Sequence, residues 1–128
     1  ATEMIGCLEG SEMCIRDRPI GSFQALQHRM VDNFMAFEQS KSMVYRGICE
    51  STSFNKNDID INQFLKTAHA VKALIAKNSK QIGDESIQIH GGIGMTDELN
   101  IGHFVKRLMM INVLFGDGDF HRQCFSQN

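Results

Sequence analysis

From Ser22 to Gly47 the apolar residues fall at Phe23, Leu26, Met30, Phe34 and Phe37, and then at Val44 and Tyr45. This is close to the three-and-four spacing of one buried helical stripe, and it predicts a long amphipathic helix. Pro19 and Gly21 interrupt the chain ahead of it, and the Ser22 hydroxyl is placed to accept from an unpaired backbone N–H of the first turn. Gly47 marks the expected stop. The stretch Glu50 to Asp60 is rich in Ser, Asn and Asp, whose side chains compete for local backbone hydrogen bonds, so it reads as an interhelical connection.

A second stripe runs through Ile61, Phe64, Leu65, Ala68, Val71, Ile75, Ile82, Ser86 and Ile89 and ends at Gly91-Gly92, where positive φ is cheap. It predicts one helix approaching about 30 residues. Gly83 inside it costs about 1 kcal/mol relative to alanine, and so marks a weak point or a close packing contact. A third helix is expected from Asp97 to Asn112, capped by Thr96, with Ile101, Phe104, Val105, Leu108 and Ile111 on its inner face. Leu114 to Asp119 reads as a turn, and Phe120 to Asn128 as the start of a further helix without a partner. Long helices on short connections predict an all-α fold, an antiparallel helical bundle.

Composition narrows the function. The chain has 128 residues, 42% apolar and 22% charged, and 13 basic against 15 acidic side chains leave a net charge of −2. That is an ordinary globular composition, and with no block of like charge it offers no footprint for nucleic acid or an anionic membrane. The stretch Leu108 to Phe115, interrupted by Asn112, is far short of the roughly 20 residues a membrane span needs. Ala1 to Gly10 carries two acids and no base, unlike a targeting segment, so the expected compartment is the cytoplasm. Cys7, Cys14, Cys49 and Cys124 form no Cys-x-x-Cys pair and read as reduced thiols. His28, His69, His90, His103 and His121 show no His-x-x-x-His spacing, so no metal site is expected. Methionines such as Met30, Met35 and Met43 read as gap-fillers in the core.

Two segments are chemically distinctive. Gln88-Ile-His-Gly-Gly-Ile-Gly-Met-Thr-Asp-Glu98 packs three glycines and several polar groups between two long helices. Its bare backbone N–H groups suit a phosphate, while a helix-terminating glycine turn accounts for part of the pattern with no ligand. His90 is a proton carrier on one reading and a hydrogen-bonded structural group on the other. Leu114-Phe-Gly-Asp-Gly-Asp119 flanks a glycine with two carboxylates but lacks the oxygen-ligand run and closing glutamate of a calcium loop, and reads as a turn and cap.

Together, Pro19-Ile-Gly-Ser-Phe-Gln-Ala-Leu-Gln-His-Arg-Met30 and Ile87-Gln-Ile-His-Gly-Gly-Ile-Gly-Met-Thr-Asp-Glu98 resemble the C-terminal helical domain of the acyl-CoA dehydrogenase family, from Arg18 nearly to the end. The resemblance implies an FAD flavoenzyme of lipid metabolism, of the fatty acid β-oxidation type. In it a carboxylate removes the α-proton of an acyl-CoA thioester while the β-hydride passes to the flavin. It also implies a homo- or hetero-tetramer whose FAD site is shared across a dimer interface. By matching positions, Phe23, Gln24, Ala25 and Leu26 lie against the cofactor, with Gln24 the main polar contact. Gln88, Ile89, His90, Gly91 and Gly92 cradle the adenine-diphosphate end from a neighbouring subunit.

The chain departs from the family pattern in two places. Where many members carry the catalytic glutamate followed by glycine, an ungapped match has Phe115, with Gly116 retained; Asp117 lies nearby as a weak substitute. Other branches place the glutamate on an earlier helix, at a position before Ala1. Between Cys7 and Arg18, Met13 stands where the resemblance implies an FAD-binding arginine and Arg16 in a phenylalanine position. Between Gly6 and Gly21 the chain is shorter than the family by roughly two helical turns. Glu12-Met-Cys-Ile-Arg-Asp17 resembles a translated transposase end sequence of the kind attached to DNA for sequencing, so 1–18 reads as a chimeric segment and 19–128 as the family domain. The expectation is a fragment of an FAD-dependent acyl-CoA dehydrogenase, inactive alone, that contributes cofactor-binding and oligomerisation surface. The alternative is a non-catalytic helical partner subunit or assembly module, which the phenylalanine at 115 favours.

Overall fold

The computed structural model of the chain describes residues 14–15, 18–97 and 99–127. The expectations placed on Met13, Arg16 and the rest of the first thirteen residues lie outside them. Two short strands, β1 (Cys14–Ile15) and β2 (Arg18–Pro19), pair antiparallel, with Cys14 opposite Pro19 and Ile15 opposite Arg18. A 3-10 turn, Ile20–Ser22, leads into α1 (Gln24–Asn55), followed by α2 (Ile61–His90), a 3-10 turn Gly91–Met95, α3 (Ile101–Val113) and α4 (Gly118–Gln127).

Helix α2 is central, because α1, α3 and α4 all pack on it. Arg29 meets Glu85, Asn78 meets Ala36, and the Phe54 ring stacks on Phe64 at 5.0 Å, so α1 and α2 are antiparallel along their whole length. Val105 lies against Gly83 and the Ile111 carbonyl meets Lys72, so α3 also runs antiparallel to α2. Helix α4 continues in the same direction: Gly118 lies on Ala76, His121 on His69, and Lys66 over the Phe125 ring. The all-α antiparallel bundle is therefore a long hairpin with a third pass broken at Leu114–Asp117.

Several local expectations are corrected. Gly47 does not stop α1, which continues eight residues further to Asn55. A Cβ at Gly47 would be 3.1 Å from Val71 Cγ2, so this glycine serves close approach between the helices. The N-cap of α1 is Phe23, without a side-chain cap bond, and not Ser22. The connection is correspondingly short, and Asp60 caps α2 by accepting from the Ile61 N–H at 2.8 Å. Helix α3 begins at Ile101 with N-cap Asn100, because Gly91–Met95 and the turn after it occupy the preceding residues. Helix α4 does find a partner, in α2.

Among the described residues the buried apolar ones are Ala36, Ala76, Ile89, Ile101 and Val105. Polar side chains complete the packing. Asn78 Nδ2 donates to the Ala36 carbonyl at 2.9 Å and to Ser40 Oγ at 3.0 Å, while the neighbouring Ser79 Oγ donates to Asn112 Oδ1 at 2.9 Å. Two consecutive residues of α2 thus tie it to different helices, with their buried polar atoms satisfied. The stripe expected on α1 is displaced: Asn33 and Ala36 face inward, while Phe34 is 50% exposed and lies with Val31, Met35 and Tyr45 on an uncovered face.

Candidate functional site

Helix α1 begins where α2 ends, so the stretch around Phe23–Met30 and the stretch around Ile87–Met95 come to the same end of the hairpin. The Arg29 Nε to Glu85 bond, 2.6 Å, ties the helices about one turn inside that end. The bonded Glu85 carboxylate raises the Arg29 guanidinium still further above its ordinary value. At the entrance to α1, Gln27 Nε2 donates to the Gly21 carbonyl at 2.8 Å and fastens the 3-10 turn onto the helix. Phe23 and Leu26 are half-buried, and Gln24 and Ala25 are exposed.

Helix α2 closes on Gly91, whose φ of 62° and ψ of −144° lie in a region that only glycine adopts without strain. Its N–H is spent on the carbonyls of Ile87 and Gln88. The glycine-turn reading therefore holds for Gly91, and its N–H is not a free anion donor. A Cβ at Gly91 or Gly92 would meet nothing within 4 Å, so their backbone faces open space. The Gln88 side chain is exposed beside them. His90 is buried, and its Nδ1–H donates to the Ser86 carbonyl at 2.8 Å. Gly94 packs over it: a Cβ there would be 3.1 Å from both His90 Cβ and the Ile87 carbonyl oxygen. Ile89 is buried in the core, so of the five expected residues Gln88, Gly91 and Gly92 present outward surface while Ile89 and His90 hold the turn from beneath.

Phe115 and Asp117 are elsewhere. Gly118, next to Asp117, lies on Ala76 and near the Ala73 carbonyl, on the order of 20–25 Å along α2 from His90 at the helical rise. Phe115 has φ 62° and is 93% exposed. Asp117 Oδ1 accepts from the Phe120 N–H at 2.8 Å, the capping role that its turn context predicts. An open groove of about 690 Å³ adjoins it, lined in part by Lys77, Lys80, Asp117, Arg122 and Phe125. Among the described residues no cluster of three metal-ligating side chains occurs, and no helix is long and apolar enough to cross a membrane.

Two groupings were missed in the sequence, although Arg46 and Glu50, four positions apart on one helix, carry a legible spacing. Glu50 is held below the usual carboxylate range, first by the Thr67 hydroxyl and then by Arg46, whose Nε donates to Oε1 at 3.1 Å. His69 and His121, fifty-two positions apart, meet between α2 and α4.

The architecture defines a helical domain with its distinctive surface at one end of a long hairpin. The chain belongs to the acyl-CoA dehydrogenase family: the model of that family's C-terminal domain matches residues 14–128. The match begins within the segment that the motifs had set apart. The chain is 35% identical over 116 residues to the acyl-CoA dehydrogenase IpdE2 of Mycolicibacterium smegmatis, covering 84% of this chain and 33% of that protein. It is 25% identical over 112 residues to the 3-(aryl)acrylate reductase of Clostridium sporogenes, covering 88% and 28%. A crystal structure of an FAD-dependent dehydrogenase superposes with a TM-score of 0.83 at 25% identity, over 98% of this chain and 32% of that one. The chain thus spans about a third of the length of these relatives.

Proposed function

We propose that the chain is the C-terminal helical part of an FAD-dependent acyl-CoA dehydrogenase and that the end where α1 begins and α2 closes supplies FAD-binding surface. One observation carries this reading: Gln24, Gln88 and the open backbone of Gly91-Gly92 share one end of the hairpin, beside a turn held rigidly by His90 and Gly94. The residues fit the cofactor in part. The Gln88 amide, with a donor and an acceptor, suits the adenine-diphosphate portion, and Gly91 and Gly92 admit it closely, although the Gly91 N–H is already used. Phe23 and Leu26 offer apolar contact and Gln24 a polar one.

Bound FAD supplies the hydride acceptor for α,β-dehydrogenation of an acyl thioester. This chain's own residues bind and orient the cofactor; the proton-abstracting carboxylate is assigned to another part of the protein, because Phe115 takes no proton and Asp117 caps α4. The uncovered face of α1 supports an oligomer, with FAD shared between subunits. Flavin content of the intact dehydrogenase tests the reading: weaker FAD retention in Gln88→Ala supports it, and unchanged flavin content contradicts it.

A second reading, a non-catalytic assembly module, is favoured by the exposed Phe115. It predicts no flavin binding and association through the apolar surfaces of α1 and α3. The segment 12–17 reads as adaptor-derived within a chimeric stretch, which re-reading the source DNA through Ile20 tests directly.

A further inference from the structure

His69 of α2 and His121 of α4 face each other with their Nδ1 atoms 2.8 Å apart. The rings are tilted by 45°, and both residues are half-buried. The other nitrogen of His121, Nε2, lies 3.0 Å from the Phe115 carbonyl oxygen. A carbonyl only accepts, so Nε2 carries hydrogen, and in neutral His121 the Nδ1 is a bare lone pair. His69 Nδ1 must then donate to it, and the tautomers of both rings are fixed.

Protonation of this pair is stepwise. A first added proton goes to His69 Nε2; both hydrogen bonds survive, and the one between the rings becomes charge-assisted. The second has only His121 Nδ1 to occupy, which sets two N–H groups against each other at hydrogen-bonding distance. The charged side chains on the surrounding elements do not relieve this. On α2, Lys66 lies 5.6 Å over the Phe125 ring and Lys72 donates to the Ile111 carbonyl at 2.7 Å. On α4, Arg122 pairs with Asp119 at 2.8 Å and the Cys124 thiol lies one turn beyond His121; in the turn Asp117 is the α4 cap, and Lys106 and Arg107 are on α3. Among the described residues neither imidazole bonds a carboxylate, and Lys66 and Lys72, three residues either side of His69, oppose added charge.

The other ring nitrogen of His121, through its bond to the Phe115 carbonyl, holds the turn before α4. Phe115 at φ 62° is in the left-handed region, which a phenylalanine adopts only when its surroundings impose it. The His121 bond to its carbonyl does so, together with Gly116 at φ 102°, where a Cβ would sit 2.7 Å from the Phe120 ring. We propose that His69 and His121 form a one-proton latch. It keeps α4 docked on α2 while the pair carries at most one added proton, and it releases α4 when the second arrives.

Hydrogen–deuterium exchange of the full 128-residue chain, corrected for intrinsic rates, tests this between about pH 8 and about pH 5, the range in which imidazole ordinarily titrates. The latch predicts that protection across 115–127 falls about tenfold or more while that of α2 is retained. His69→Gln, whose amide donates or accepts without titrating, keeps α4 docked at both ends of the range; His69→Phe loosens it already at the higher pH. Nitrogen NMR at the higher pH should find the hydrogen on Nδ1 of His69 and on Nε2 of His121. Parallel loss of protection in α2, an undiminished pH response in His69→Gln, or the opposite tautomers would each overturn the latch.

Discussion

Gly94 lies so close over His90 that a Cβ added to it would stand 3.1 Å from the histidine's own Cβ and equally near the Ile87 carbonyl oxygen. The 3-10 turn Gly91–Met95 is thereby clamped onto the last turn of α2, and Thr96 closes it by donating its hydroxyl to the Ile93 carbonyl at 2.8 Å. Gly94→Val should displace the turn at a cost of about 1–3 kcal/mol, the usual penalty of overpacking. Flavin affinity should fall while helical circular dichroism is nearly unchanged. A variant with unaltered affinity would show that the clamp does not shape the cofactor surface.

The two interior glycines of the long helices should respond differently to alanine. At Gly83 an added Cβ would meet Val105 at 3.6 Å, an ordinary contact, so Gly83→Ala should stabilise by about 0.5–1 kcal/mol through helix propensity. At Gly47 the Val71 methyl stands at 3.1 Å, and crowding offsets that gain. Urea midpoints measured side by side should rank Gly83→Ala above Gly47→Ala; the reverse order would refute the packing described here.

Asn78 is 4% exposed and bonds the backbone of α1. Asn78→Leu keeps the branched heavy-atom shape but removes two donated bonds, at an expected cost of about 1–3 kcal/mol. Denaturant unfolding at neutral pH measures it, and a loss below a few tenths would mean that the tie is idle.

Glu50 gives a pH dependence of definite sign. Its carboxyl lies below the usual range because the Thr67 hydroxyl, and then Arg46, favour the charged form. Its contribution is therefore present above the ordinary carboxylate range, near about 4.3 in unfolded chains, and is lost as pH falls through the lowered folded value. Thr67→Val should raise the Glu50 titration, visible by carbon NMR of its carboxylate, and move acid unfolding to higher pH. An unmoved titration would remove Thr67 from this role.

The legibility of the fold differs between helices for a physical reason. Helix α2 is surrounded, its capping aspartate and terminal glycine are adjacent to the stripe, and its bounds follow from the pattern. Helix α1 carries two apolar faces, and periodicity does not say which one has a partner within the chain; small Ala36 and Gly47 admit α2, while Phe34 and Tyr45 stay outside. Gly47 read as a stop because a glycine at close helix approach and a glycine at a helix end are identical in sequence. The Gln88–Gly92 surface was legible as a local motif. The rigidity beneath it, from His90 and Gly94, and the meeting of His69 with His121 depend on how distant turns stack, which no local spacing encodes.

The central claim is that FAD binds where α1 begins and α2 closes, and parallel flavin titrations of Gln24→Ala, Gln88→Ala and Asp117→Asn test it most directly. Each glutamine variant should weaken FAD by roughly tenfold, the equivalent of one lost hydrogen bond of about 1.4 kcal/mol, while Asp117→Asn, far along α2, leaves affinity unchanged. Affinity indifferent to both glutamines, or lost through Asp117→Asn alone, would contradict the account.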